Sequence, residues 1–97
     1  MPLPDIDFVP GESAGSLTAR LFGPLGDEFG RSVEAPLPPA GLTVGELRRA
    51  LAALLGPGGE KLLSPAIRIC VDRVIASEGA RVWPGQEVAV LPVFSGG

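Results

Sequence analysis

The sequence predicts an α+β roll, a mixed sheet of four to five strands packed on one main helix. Three observations predict it. The segment LTVGELRRALAALLG carries a complete helix signature, from cap to stop. Segments on both sides of it alternate apolar and polar residues with the period of two that marks a half-buried strand. The last segment, EVAVL, is apolar almost throughout, as expected of a strand buried on both faces in the middle of a sheet.

Taken in order, residues 1–14 hold three prolines and no periodicity, and residues 1–15 are expected to form a poorly ordered extension. At most they hold a short edge strand at Ile6–Val9. SLTARLF then puts Leu17, Ala19 and Leu21 on one face and Thr18 and Arg20 on the other, a strand. GPLGDEFG, with three glycines and a proline, is expected to be a turn or short loop. RSVEAPL alternates again through Val33, Ala35 and Leu37. Its prolines end the strand or place it at a sheet edge.

The helix is predicted over residues 43–55. Thr43 is the N-cap, and Glu46 completes a capping box three residues on. Leu42 and Leu47 stand where a hydrophobic staple spans that cap. Val44, Leu47, Leu51, Leu54 and Leu55 make the apolar stripe, with Arg48, Arg49 and the alanines largely off it. Gly56-Pro57 stops the helix. Ala66–Asp72 is a strand with Ile67, Ile69 and Val71 inward. Asp72-Arg73 is a tight connection to a short strand at Val74–Ala76, and SEGARVW is a loop. Pro84-Gly85 suits the centre of a type II turn, and Glu87–Leu91 is the final strand. A helix between a first hairpin and later strands, with the final strand parallel to the first at the centre, is the β-grasp arrangement.

Composition removes several classes of function. The chain of 97 residues has 45% hydrophobic content, enough for one core, so its 14 glycines and 11 prolines signal turns rather than disorder. Asp5, Asp7 and Glu12 account for the whole net charge of −3. The remainder balances, and no basic stripe exists to neutralise phosphates, so nucleic-acid binding is not expected. With no histidine and one cysteine, a zinc site is not expected and a Ser-His or Cys-His nucleophile pair is excluded. Cys70 reads as a small packing residue and Trp83 as an aromatic at the core edge. Asp27-Glu28 and Glu60-Lys61 read as solvated loop charges. No stretch approaches the ~20 apolar residues of a membrane span, and MPLPDIDF lacks the basic start of a signal peptide. The expected location is the cytoplasm, with no membrane partner.

The remaining candidate is the ending, VAVLPVFSGG. Pro92 is expected to stop the last strand from pairing further, leaving residues 93–97 as a flexible tail on a 16–92 domain. Val93 and Phe94 are apolar where a merely soluble terminus would be polar. Residues 93–97 reach about 16 Å when extended. Gly96 and Gly97 lack Cβ atoms, so a narrow channel can close on their backbone. The Gly97 carboxylate is inert until activated as an acyl-adenylate, after which a sulfur nucleophile can displace the adenylate and leave a thiocarboxylate.

LPVFSGG resembles the closing signature of the ThiS/MoaD family of ubiquitin-like sulfur carriers, particularly the small subunit of molybdopterin synthase. SLTARLFGPLGDEFG, LTVGELRRALAALLG, RICVDRVIA and VWPGQEVAVLPVFSGG are similar to the family's successive elements, covering residues 16–97. The resemblance implies that Gly97, with Gly96, is the adenylation and thiocarboxylate site. It implies that Leu91, Val93, Phe94 and Ser95 meet partners: an E1-like adenylating enzyme and the large synthase subunit. It implies a carrier rather than an enzyme, binding no cofactor itself, with ATP and magnesium used by the activating enzyme. Sulfur carriage for thiazole, cysteine or tRNA thiolation remains an alternative, as do conjugation to lysines and a plain β-grasp interaction module.

Overall fold

The computed structural model describes residues 15–93. The expected extension, with the strand considered at Ile6–Val9, lies almost wholly outside them. Strand β1 (Ser16–Leu21) is followed by a short helix α1 (Pro24–Phe29) and strand β2 (Ser32–Pro36). Next come β3 (Leu42–Thr43), the main helix α2 (Val44–Leu55) and a 3-10 turn at Gly59–Leu63. The chain closes with β4 (Ile67–Val71), β5 (Val74–Ile75), β6 (Arg81–Val82) and β7 (Val88–Pro92). The main sheet runs β2-β1-β7-β4-β5. β7 lies at its centre, parallel to β1 and antiparallel to β4, with Ala19 opposite Val88 and Ile69 opposite Val90. This is the β-grasp roll expected from the sequence.

Alternation decides which face is buried. Leu17, Ala19, Leu21, Ile67, Ile69, Val88 and Val90 point toward α2 and are buried there with Val44, Leu47 and Leu51. Burying each large aliphatic side chain stabilises the fold by about 1.5–3 kcal/mol. The capping box forms: Glu46 N donates to Thr43 Oγ1 at 3.1 Å, and Thr43 N donates to Glu46 Oε1 at 2.9 Å. The hydrogen bond from the Thr43 backbone N–H, with a smaller contribution from the Thr43 side chain, holds the Glu46 carboxyl below its ordinary pKa.

The buried arc of α2 is rotated from the expected stripe. Leu54 is exposed, whereas Arg48 and Ala52 are buried. At 100° per residue, Arg48 falls between Leu55 and Ala52 on the wheel, inside the arc centred on Val44 and Leu51, and Leu54 falls outside it. GPLGDEFG is not a loop but holds α1. Pro24 starts the helix, while Leu25 is buried and Phe29, four residues on, packs against the core. The segment read as the loop SEGARVW contains β6, which pairs with β3 in a separate two-stranded sheet. The 3-10 turn was not expected; its Leu62 is fully buried. Its Lys61 pairs with Glu28 of α1 at 2.7 Å, so these two charges link elements rather than stand alone in solvent. Trp83 is half exposed, with the Arg81 guanidinium 5.9 Å from its ring centroid.

Asp72 and Arg73 form the two-residue turn between β4 and β5, both at positive φ, 50° and 73°. Such turns match strand twist, but the left-handed region costs a side-chain-bearing residue about 1–2 kcal/mol. Asp72 is compensated: its carboxylate accepts from Glu87 N and Gln86 Nε2, fastening the Pro84–Gly85 turn. Arg73 is held only by a long 3.8 Å contact to Glu87, so Arg73→Gly is expected to raise stability by about 1 kcal/mol in urea unfolding.

Candidate functional site

The candidate site starts where β7 leaves the sheet. Leu91 pairs with Arg68, and Pro92 is still in register with Ile67. Pairing continues one bond beyond the proline, because Val93 N donates to the Ala66 carbonyl at 2.7 Å. This corrects the expectation that Pro92 ends it. Backbone groups alternate sides along a strand. Phe22 N reaches Val90 O on the β1 side, so the Pro92 nitrogen also faces that side, where β1 has already turned away at Gly23. The missing N–H loses no partner, and Val93 N faces β4 instead.

Gly23 closes the other flank. Its φ is +62°, and a Cβ there would stand 3.3 Å from Pro92 Cγ. The turn after β1 therefore sits directly against the root of the tail. Of the residues singled out in the sequence, Leu91 is half-buried and Val93 exposed. Phe94, Ser95, Gly96 and Gly97 lie outside the described residues.

The structure adds neighbours that the sequence reading did not name. Ala89 and Leu91 occupy the outward face of β7. Arg20 of β1 stands opposite Ala89, and Arg68 of β4 opposite Leu91. Phe22 takes the next outward position beyond Arg20 and is exposed. An apolar strip flanked by arginines thus leads to the tail. Its signal was present in the sequence: Arg20, Phe22 and Leu91 fall on the outward phase of strands whose inward phase is unbroken. Cys70 is buried next to this strip, as a packing residue would be.

Among the described residues no group of three or more His, Cys, Asp or Glu is placed to hold a metal. No helix among them is long and apolar enough to cross a membrane. What the arrangement does is mechanical. It fixes the last strand between β1 and β4 as far as Val90, and on the β4 side as far as Val93.

Comparison with known proteins agrees with this architecture. No curated protein matches the chain. The crystal structure of SAMP1 from Haloferax volcanii is similar over 86% of this chain and 100% of its own, at 29% identity and a TM-score of 0.67. A crystal structure of H. volcanii small archaeal modifier protein 1 is similar over 82% and 99%, at 22% identity and a TM-score of 0.64. A Pyrococcus furiosus protein named as molybdopterin converting factor, subunit 1, shares the fold over 82% and 99%, at 19% identity and a TM-score of 0.62. The model of the ThiS family matches residues 19–97, from the middle of β1 to the terminal glycine. With the ubiquitin-like sheet, the central last strand and the Gly-Gly ending accounted for by one match, this chain belongs to the ThiS family.

Proposed function

We propose that this chain is a sulfur carrier whose Gly97 carboxyl is adenylated, converted to a thiocarboxylate, and used to supply sulfur for molybdopterin synthesis. The observation that carries this reading is the family match running through Gly97. The neighbour named as a molybdopterin converting factor subunit supports the choice of pathway. In the first step a Gly97 oxygen attacks the α-phosphorus of ATP, and pyrophosphate leaves. In the second a sulfur nucleophile attacks the acyl carbon, and AMP leaves with the electron pair. An E1-like enzyme supplies ATP, magnesium and the acid–base groups for both steps. This chain supplies the carboxyl group and a handle. Leu91, Val93, Phe94 and Ser95 seat the tail in that enzyme and in the large synthase subunit, and Gly96 passes the narrowest point. The arginine-flanked strip beside Leu91 extends the contact surface.

A second reading is favoured by the 29% identity to SAMP1: the same activated carboxyl is passed to an amine, making the chain a protein modifier. Both readings share the adenylation step. ATP–pyrophosphate exchange by the adenylating enzyme from the same cell is expected to require this chain. Exchange that proceeds equally without it would remove both readings. Product analysis after adding a sulfur donor separates them, since a carrier yields thiocarboxylate and a modifier yields conjugates.

A further inference from the structure

A cleft of about 460 Å³ lies on the α2 side of the sheet. Its walls are the first turns of α2, residues 63–65 after the 3-10 turn, and Glu78. One buried side chain holds all three in place. Arg48 Nη1 donates to Leu62 O and Ile67 O, each at 2.7 Å, so it grips the chain on either side of residues 63–65. Its Nε and Nη2 hold the two oxygens of Glu78. The cleft is therefore formed before any ligand arrives. Those bonds use four of the five guanidinium N–H groups, and among the described residues no acceptor takes the second N–H of Nη2. Arg49 lines the same cleft, is exposed, and makes no ion pair among the described residues. The apolar part of the wall is Leu63 and Pro65. Leu63 is 49% exposed, although Leu62 beside it is fully buried. Gly45 leaves space between the charges: a Cβ there would stand 3.4 Å from Glu78 Oε1 and 3.9 Å from Arg49 Nη1.

We propose that this cleft docks an acidic peptide segment of a partner protein. A glutamate or aspartate of that segment meets Arg49 and the spare N–H of Arg48, and an apolar side chain next to it lies on Leu63 and Pro65. Charge selects the occupant. Arg48 already neutralises Glu78, so Arg49 leaves the cleft with one uncompensated positive charge. A single free guanidinium beside a carboxylate suits one negative charge, and a charge-assisted bond to it is the strong kind. A phosphate, with its greater charge, would meet Glu78 at close quarters. Shape selects a chain over a small molecule. The cleft is open to solvent along one side, whereas small-molecule sites enclose most of their ligand. An extended segment crossing it covers Leu63 and leaves its own backbone hydrated. The consequence concerns how many proteins this chain can meet at once. The cleft belongs to the helix layer, and the Ala89–Leu91 strip lies on the outward face of the sheet. A partner held in the cleft leaves that strip free for another. The two surfaces approach each other only at the strand end, where Ala66, next to Pro65, accepts from Val93 N.

The test titrates the full chain, labelled with nitrogen-15, with a short capped peptide of alternating leucine and glutamate. Saturable shifts are expected at the amides of Gly45, Arg49, Leu63 and Ser64, weakening as salt is added. The same peptide with glutamine for glutamate should bind about five- to tenfold more weakly, and so should the glutamate peptide to Arg49→Ala. Gly45→Ala fills the space between Arg49 and Glu78 with one methyl group and favours the helix. It should weaken binding while unfolding at no lower urea concentration, which separates loss of the cleft from loss of the fold. The absence of saturable shifts, equal binding of the glutamine peptide, undiminished binding by Arg49→Ala, or shifts centred on Ala89 and Leu91 would each overturn the proposal. The measurement involves neither ATP nor the adenylating enzyme, so its failure is distinct from failure of the exchange assay.

Discussion

Arg48→Ala is expected to lower the unfolding free energy by about 2–5 kcal/mol, chiefly because two buried carbonyls lose their donor. The side chain is 8% exposed and crosses from α2 to three other segments. Nη1 bonds Leu62 O at the end of the 3-10 turn and Ile67 O at the start of β4, with Ser64 O farther away at 3.4 Å. Nε and Nη2 reach the Glu78 carboxylate at 3.2 and 2.6 Å. Alanine leaves two buried carbonyls without donors, and an unsatisfied buried polar group costs about 1–3 kcal/mol each. Lysine keeps the charge but not the planar fork, so Arg48→Lys should recover only part of the loss. Glu78→Ala should cost about 1 kcal/mol or less, because its side chain is 60% exposed and solvent screens the pair. Urea unfolding of the three variants checks this order. An Arg48→Ala loss below about 1 kcal/mol would show that the carbonyls find other donors.

The same bonds give the acid response its sign. Hydrogen bonding from Arg48 holds the Glu78 carboxyl below the ordinary carboxylate range. Hydrogen bonds from Thr43 do the same for Glu46. A carboxyl lowered in the folded state adds stability that is fully present above its unfolded pKa and disappears as pH falls through the folded value. Stability should therefore be flat with respect to these groups from pH 7 to about 5 and decline below about 4.5. In Glu78→Ala that decline should be shallower.

The second large effect is functional. Deleting Gly96 and Gly97 is expected to reduce chain-dependent pyrophosphate exchange to background while leaving the unfolding free energy within about 0.5 kcal/mol of the parent. The reason is spatial. Every buried core residue among the described residues lies between Leu17 and Val90, and the last described tie to the sheet is Val93 N to Ala66 O. Removing Gly96 and Gly97 leaves all of these in place and takes away the group proposed to react. A deletion that also unfolds the domain would mean that the terminus is part of the fold. A deletion that still supports exchange would mean that another group is activated.

How much of this was legible in the sequence differs by element. The main helix was readable because Thr43, Glu46 and Gly56 are local signals, each acting through its own backbone or within one turn. The central place of β7 followed from a run apolar on both phases, Val88 to Leu91, flanked by alternating neighbours. Helix α1 was hidden because its six residues include Gly26, which lacks a side chain where a Cβ would meet Leu21 O at 2.8 Å. There a glycine serves close packing and was read as a turn. Arg48 was misplaced because a charged residue is normally assigned to solvent, and its carbonyl partners lie 14 and 19 residues away. β3 and β6 have two residues each, too few to show any period. At the site, two glycines after an apolar segment pointed to the family that the match over residues 19–97 shows. Of the arginine-flanked strip the sequence carried only the outward phase of each strand, because Arg20, Arg68 and Leu91 come together only through strand register.

The central claim is that the free carboxyl at position 97 is the reacting group. The most direct measurement is the mass of the tryptic fragment 82–97 after incubation of the chain with its adenylating enzyme, ATP, magnesium and a sulfur donor. The account predicts a gain of about 16 Da, sulfur for oxygen, on that fragment alone. An unchanged fragment under conditions where the enzyme consumes ATP, or a sulfur gain located elsewhere in the chain, would contradict it.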